Sequence, residues 1–136
     1  MKQILFLFLL QIAHVSAQSK NITLLDNWQD TSLMSNSSQV RYSGLWTFSK
    51  GNDEYAVIGT TEGAAFLRLM ENNELLFIDS IEGNYASSQA ITREYKRYQN
   101  YIYAIGDEGD ASLQIIDISY LPDSVTLANE VQDERV

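Results

Sequence analysis

The chain contains no cysteine, a single proline and a single histidine, and its nine basic residues are outnumbered by eighteen acidic ones. Without cysteine it has no disulfides and no thiolate chemistry. The one histidine, His14, lies in an amino-terminal stretch that reads as a removable leader, so the mature part has no imidazole. This excludes Ser-His-Asp and Cys-His nucleophile systems, and every zinc or iron site that needs imidazole or thiolate ligands. An enzyme built from what remains works with carboxylates, Lys, Ser or Tyr alone. A formal net charge of −9 repels the phosphates of nucleic acids and anionic lipid heads, so neither is an expected partner. The charges are scattered, and 45% hydrophobic residues with eight tyrosines suffice for a packed core, which excludes a disordered acidic tail.

Long apolar runs are scarce as well. The one at the amino terminus spans Ile4–Leu10 without a polar residue, follows Lys2, and precedes Val15-Ser16-Ala17 and Gln18. A basic residue, a short apolar run and a small-residue cleavage site are the three parts of a secretory signal peptide. The run extends over about a dozen residues, short of the roughly twenty that a spanning helix needs. Residues 1–17 are therefore expected to be a cleaved signal peptide. Residues 18–136 are expected to be secreted, extracellular or on the cell surface, with no membrane span.

What the remainder does contain is a repeat. Phe48-Ser-Lys-Gly-Asn-Asp-Glu-Tyr-Ala-Val-Ile-Gly59 lies over Tyr95-Lys-Arg-Tyr-Gln-Asn-Tyr-Ile-Tyr-Ala-Ile-Gly106, with Ile58-Gly59 on Ile105-Gly106 at a spacing of 47. Phe66-Leu-Arg-Leu69 lies over Ile115-Ile-Asp-Ile118, and Leu75-Leu-Phe-Ile78 over Ser124-Val-Thr-Leu127, both at 49. The drift fits an insertion in the turn Asp107–Ala111. Within the first copy, β-like runs near 41–48, 55–60, 64–69 and 75–81 are separated by the turn signals Gly51-Asn52-Asp53, Thr61-Glu62-Gly63 and Glu71-Asn72-Asn73. The second copy has runs near 90–98, 101–106, 113–119 and 125–128, and the sole proline, Pro122, falls in a turn. No window outside the leader has a 3.6-residue apolar period.

A period just under fifty residues, made of four short strands, is the pattern of β-propeller blades. The expected fold is all-β: two four-stranded antiparallel blades at about 41–83 and 89–130, with Ile58 and Ile105 in equivalent buried positions. A lone closing strand is expected at about 21–28, where Asn21-Ile-Thr-Leu-Leu-Asp-Asn27 resembles Glu74-Leu-Leu-Phe-Ile-Asp-Ser80. Propellers have four to eight blades. Two blades make an incomplete ring, so residues 18–136 are expected to belong to a longer protein, or to self-associate.

Tyr101-Ile-Tyr-Ala-Ile followed by Leu113-Gln-Ile-Ile-Asp-Ile-Ser119 resembles the LVIVD-type repeat of bacterial surface propellers. Arg41-Tyr42, Leu45-Trp46, Glu54-Tyr-Ala-Val-Ile-Gly-Thr-Thr-Glu-Gly63, Arg93-Glu-Tyr-Lys96 and Tyr120-Leu-Pro122 together resemble the choice-of-anchor B family more narrowly. The resemblance covers about Asn21 to Asn129. It implies an exported protein whose propeller-like region precedes one of several carboxy-terminal anchoring signals, and it supplies no catalytic residues. The sequence departs from the family pattern at Ser43-Gly44, at Thr92, and at Arg68 where the second copy has Asp117.

No cofactor-binding or catalytic residue stands out. The acidic turn Asp107-Glu108-Gly109-Asp110 is the best calcium candidate, since closely spaced carboxylates around a glycine bend can supply oxygen ligands, but it lacks the D-x-D-x-D-G loop and reads first as a solvated hairpin turn. Trp28, Trp46 and the tyrosines read as sheet packing before sugar stacking. Asn21-Ile-Thr23 and Asn36-Ser-Ser38 match the glycosylation sequon, which matters only in a eukaryotic secretory route. The function expected is a non-enzymatic surface module for an extracellular protein or glycan. The alternative is part of a propeller hydrolase that uses a carboxylate pair on glycosides. Export has a direct readout: mass spectrometry of protein recovered outside the cytoplasm should find Gln18 at the amino terminus, and an exported form that retains Met1 would refute the signal peptide.

Overall fold

The computed structural model describes residues 22–132, and the expected signal peptide at 1–17 lies outside them. Eight strands follow in order: β1 (Tyr42–Lys50), β2 (Asp53–Thr60), β3 (Gly63–Leu69), β4 (Leu75–Glu82), β5 (Arg93–Tyr98), β6 (Tyr101–Gly106), β7 (Leu113–Asp117) and β8 (Thr126–Val131). They form two four-stranded antiparallel sheets, ordered β1-β2-β3-β4 and β5-β6-β7-β8, and neither closes into a barrel. The described residues contain no helix long and apolar enough to cross a membrane.

The turns explain the strand limits. Lys50 pairs with Asp53 and Tyr98 with Tyr101, leaving the two-residue turns Gly51-Asn52 and Gln99-Asn100. Gly51 and Gln99 both take a positive φ, the conformation a tight hairpin turn demands. Each outer strand carries a β-bulge, at Ile78 in β4 and at Ala128 in β8, where the register slips against β3 and β7.

Between the sheets lies one apolar core. Phe48, Tyr55, Val57, Ala64 and Phe66 of the first sheet meet Tyr95, Ile102, Ala104, Ile116, Ile118, Leu121 and Val125, which come from the second sheet and the connection between β7 and β8. The innermost strands β1 and β5 lie side by side and run in the same direction. Gly44 abuts the carbonyl of Arg93 near the start of both, and the Arg97 guanidinium covers the Phe48 ring near their ends. Lys50 Nζ donates to the carbonyls of Ile118, Ser119 and Leu121 at 2.9, 2.6 and 3.2 Å. At the outer edge the Val125 amide donates to the Asp79 carboxylate, and Gln114 Nε2 to the Glu82 carbonyl. The segment 83–92 carries the chain from outer strand β4 back to inner strand β5.

Inner strand lies on inner strand and outer edge on outer edge, so the two sheets meet through opposite faces. Their register confirms it. The turns superpose at a spacing of 48, but the inward residues superpose at 47, Tyr55 on Ile102 and Val57 on Ala104. One residue of difference moves a strand's side chains to its other face.

Two expectations need correction. Ile58 and Ile105 are not in the core: Ile58 is half-buried and Ile105 is exposed, because alternation gives the inward positions to their neighbours Val57 and Ala104. Residues 22–28 form no strand. The segment lies along β4 through side chains instead of a backbone ladder: the Asp26 carboxylate accepts the Leu75 amide at 2.7 Å, and Trp28 stacks on Phe77 at 5.9 Å.

The closeness of β1 and β5 can be tested at two glycines. A Cβ at Gly44 would collide with the Arg93 carbonyl oxygen, whereas Gly51 has open space around it. We expect Gly44→Ala to cost about 2 kcal/mol or more, because backbone must move. Gly51→Ala pays only for its positive φ, about 1 kcal/mol. Denaturant unfolding of both variants measures the difference, and equal losses would contradict the described approach of the two strands.

Candidate functional site

Three places concentrate polar chemistry. The acidic turn after β6 holds the expected calcium candidates, and the fold uses them to fasten the chain. The Glu108 carboxylate accepts the Thr92 amide at 3.1 Å, while the Asp107 amide donates to the Thr92 carbonyl at 3.2 Å. The backbone carbonyl of Asp110 accepts from Asn84 Nδ2 at 2.6 Å, and Asn84 Oδ1 accepts the Ser112 amide at 3.1 Å. Gly109 takes φ +61° with the Tyr85 ring against it, where a side chain would clash. Among the described residues no group of three carboxylates is gathered to hold a metal ion. The Glu108 carboxylate and the backbones of Asp107 and Asp110 thus hold the entry to β5.

The second place is the seam between the sheets, built around Arg93. Its position on β5 turns the side chain inward, where it is only 8% exposed. Nε donates to the Thr60 carbonyl at 2.8 Å and Nη2 to the Tyr85 carbonyl at 3.0 Å. Gly83 makes room for the guanidinium, since a Cβ there would stand 2.8 Å from both terminal nitrogens. The one ion pair among the described residues is Arg68–Asp53 at 2.6 Å, so carbonyl dipoles and not a carboxylate compensate Arg93. Two strands along, Gln114 Nε2 donates to Glu130 Oε1 at 3.3 Å, and the Ser112 hydroxyl donates to the same oxygen.

Tyr95 lies beside Arg93. Burial pushes its phenol well above the usual tyrosine range, and the nearby Arg93 charge opposes this only in part. It stays protonated at physiological pH and cannot act as a base. The Tyr95 and Ser43 hydroxyls, both buried next to Gly59, find no protein hydrogen-bond partner. Sequence reasoning placed Arg93 in a family motif without seeing its burial. The available signal was a basic residue two positions before Tyr95, in a strand whose odd positions face inward.

The third place is a groove of about 550 Å³ on the outward face of the first sheet, under residues 28–34. Trp28 and Phe77 form its aromatic side, and Trp28 also meets the Tyr42 ring edge-on at 5.9 Å. Asp30, Glu62 and Glu82 line it, with no Lys or Arg among the lining residues. The Ser32 hydroxyl and amide hold the Asp30 carboxyl below the usual carboxylate range, so it is ionised at neutral pH. Glu62 Oε1 accepts the Met34 amide at 3.4 Å. Aromatic surface beside carboxylates suits hydroxyl-rich or cationic groups. Trp28 therefore belongs to this groove, while Trp46 packs against the core with Lys96 Nζ 4.4 Å over its ring.

The seam generates a prediction about stability. Arg93→Met leaves two inward carbonyls without donors and should cost about 3 kcal/mol. Arg93→Lys should rescue little, because a single ammonium lacks the fork that reaches both acceptors. Thermal melts decide it, and a lysine variant as stable as the parent would show that the fork is not what counts. Comparison with known proteins finds no matching family model, no matching curated protein and no matching solved structure.

Proposed function

We propose that the chain is part of an exported, LVIVD-type β-propeller of the choice-of-anchor B kind, acting outside the cytoplasm as a non-enzymatic interaction module. The observation that carries this reading is the stacking of two four-stranded sheets through opposite faces, with a return connection from outer to inner strand. Successive propeller blades stand in that relation, each repeating the one before it around an axis. On this reading the sheets are two blades of an incomplete ring in a longer chain. The ligand is an extracellular protein or glycan, and the groove beside Trp28 is where a glycan would stack.

The test separates binding from turnover. Purified protein is incubated with cell-wall polysaccharide, and both retention and release of reducing ends are followed. Saturable retention without release, weakened about tenfold by Trp28→Ala, is the expected result. Release of reducing ends that disappears in Glu82→Gln would overturn the proposal in favour of a carboxylate-based hydrolase.

A further inference from the structure

We infer that the groove beside Trp28 takes a sugar bearing a free amine, so that the glycan it meets is an amino-sugar polymer whose nitrogens are not acetylated. The inference deepens the glycan reading of this groove and rests on it. A volume of about 550 Å³ is that of a small-ligand pocket, with room for a short stretch of polysaccharide.

The walls carry charge of one sign. Asp30 comes from the segment before β1, Glu62 from the turn between β2 and β3, and Glu82 from the end of β4. Three separate stretches of chain thus bring three carboxyl groups to one groove. Asp30 Oδ1 accepts the Ser32 amide and hydroxyl, and Glu62 Oε1 accepts the Met34 amide, so each keeps a second oxygen for another donor. Two arginines bond to residues of the wall: Arg41 Nε donates to the Leu33 carbonyl at 3.1 Å, and Arg93 Nε to the Thr60 carbonyl at 2.8 Å. Both are turned to backbone, and the one ion pair among the described residues, Arg68–Asp53, involves none of the three carboxyl groups. A concave wall of one charge sign gathers ligands of the opposite sign.

The aromatic side selects the body that carries the charge. Phe77 stacks on Trp28 with ring planes 7° apart and is still 45% exposed, which leaves flat apolar surface next to the carboxyl groups. The C–H face of a sugar packs on such a surface, and an ammonium over a ring face is attracted by the π-system. Donor supply then separates the amine from its acetylated form. An acetamide carbonyl needs a donor from the wall. The Thr60 hydroxyl is spent on the Gly63 carbonyl, and no Lys or Arg lines the groove, so among the lining side chains the Ser80 hydroxyl and the Trp28 indole N–H are the donors that remain. An ammonium instead brings its own donors to a wall of acceptors.

Calorimetric titration of the purified protein with glucosamine and N-acetylglucosamine oligomers of equal length tests it. The amine form should bind about tenfold more tightly, and Glu62→Gln and Glu82→Gln should each weaken it about threefold. Added salt should narrow the gap between the two sugars. Glu71→Gln, in the turn between β3 and β4 and outside the groove, should leave binding unchanged. Circular dichroism checks that the variants are folded. An oligolysine of the same charge should bind more weakly than the glucosamine oligomer. Equal affinity for the two sugars, or a preference that Glu71→Gln reduces as much as the groove variants do, would overturn the inference and leave the glycan reading standing. Oligolysine bound as tightly as glucosamine would overturn it in favour of a basic peptide. Failure of both sugar oligomers to bind would overturn it as well, and the glycan reading falls with it only if cell-wall polysaccharide is not retained either.

Discussion

The structure depends on how closely strands β1 and β5 approach each other. At Gly44 the space that a side chain would fill is taken by the carbonyl of Arg93. The same residue sends its guanidinium across the seam to the carbonyls of Thr60 and Tyr85. One residue thus supplies the backbone that sets the distance and the charge that bridges the sheets. A buried cation is costly unless its donors are met. Here the donors meet carbonyls at the end of β2 and in the return connection, so the charge is satisfied only when both segments are in place. That makes Arg93 a condition of the arrangement as much as a contributor to it.

Given that approach, the stacking of opposite faces has consequences that a symmetric sandwich would avoid. Two sheets that meet through the same face bury both apolar surfaces and turn both polar ones outward. Here the outward side of each sheet mixes apolar residues with polar ones, Ala56 and Ile58 with Glu54, and Tyr103 and Ile105 with Glu94 and Lys96. In β3 the run Gly63–Leu67 is buried throughout, on one side by the second sheet and on the other with help from the segment that carries Trp28. On the other side of the second sheet Tyr103 and Ile115 are half-buried and Ile105 is exposed. The asymmetry between a covered first sheet and an open second one follows from the stacking rule.

Chemistry is divided between the two sides of the first sheet. Its inward side packs apolar side chains against the second sheet, whose Tyr95 phenol and carbonyl-compensated Arg93 lie in the seam, an environment suited to holding sheets together. Its outward side carries the Asp30, Glu62 and Glu82 carboxyl groups around an aromatic groove, an environment suited to meeting a ligand. The acidic turn at Asp107–Asp110 belongs with the first of these, since the Glu108 carboxylate bonds the Thr92 amide and the Asp110 carbonyl bonds Asn84.

The sequence by itself determined the all-β class, the eight strands to within a few residues, the places of the hairpin turns and the near-fifty-residue repeat. Those are local matters: alternation, β-branched and aromatic runs, and residues that accept positive φ act within a few positions of the chain. What it could not determine was which face of each strand looks inward. Ile58 and Ile105 align well in sequence, yet Val57 and Ala104 take the inward positions. Nor could it show that residues 22–28, similar in sequence to β4, would lie along that strand by side chains alone. Arg93 and Gly44 entered the sequence reading only through the family resemblance, and nothing there linked them to Gly83. Only the tertiary structure brings them together, because burial of a charge and exclusion of a side chain are properties of segments that meet from far apart in the chain. A face becomes inside or outside only when something covers it, and that partner is never a neighbour in sequence.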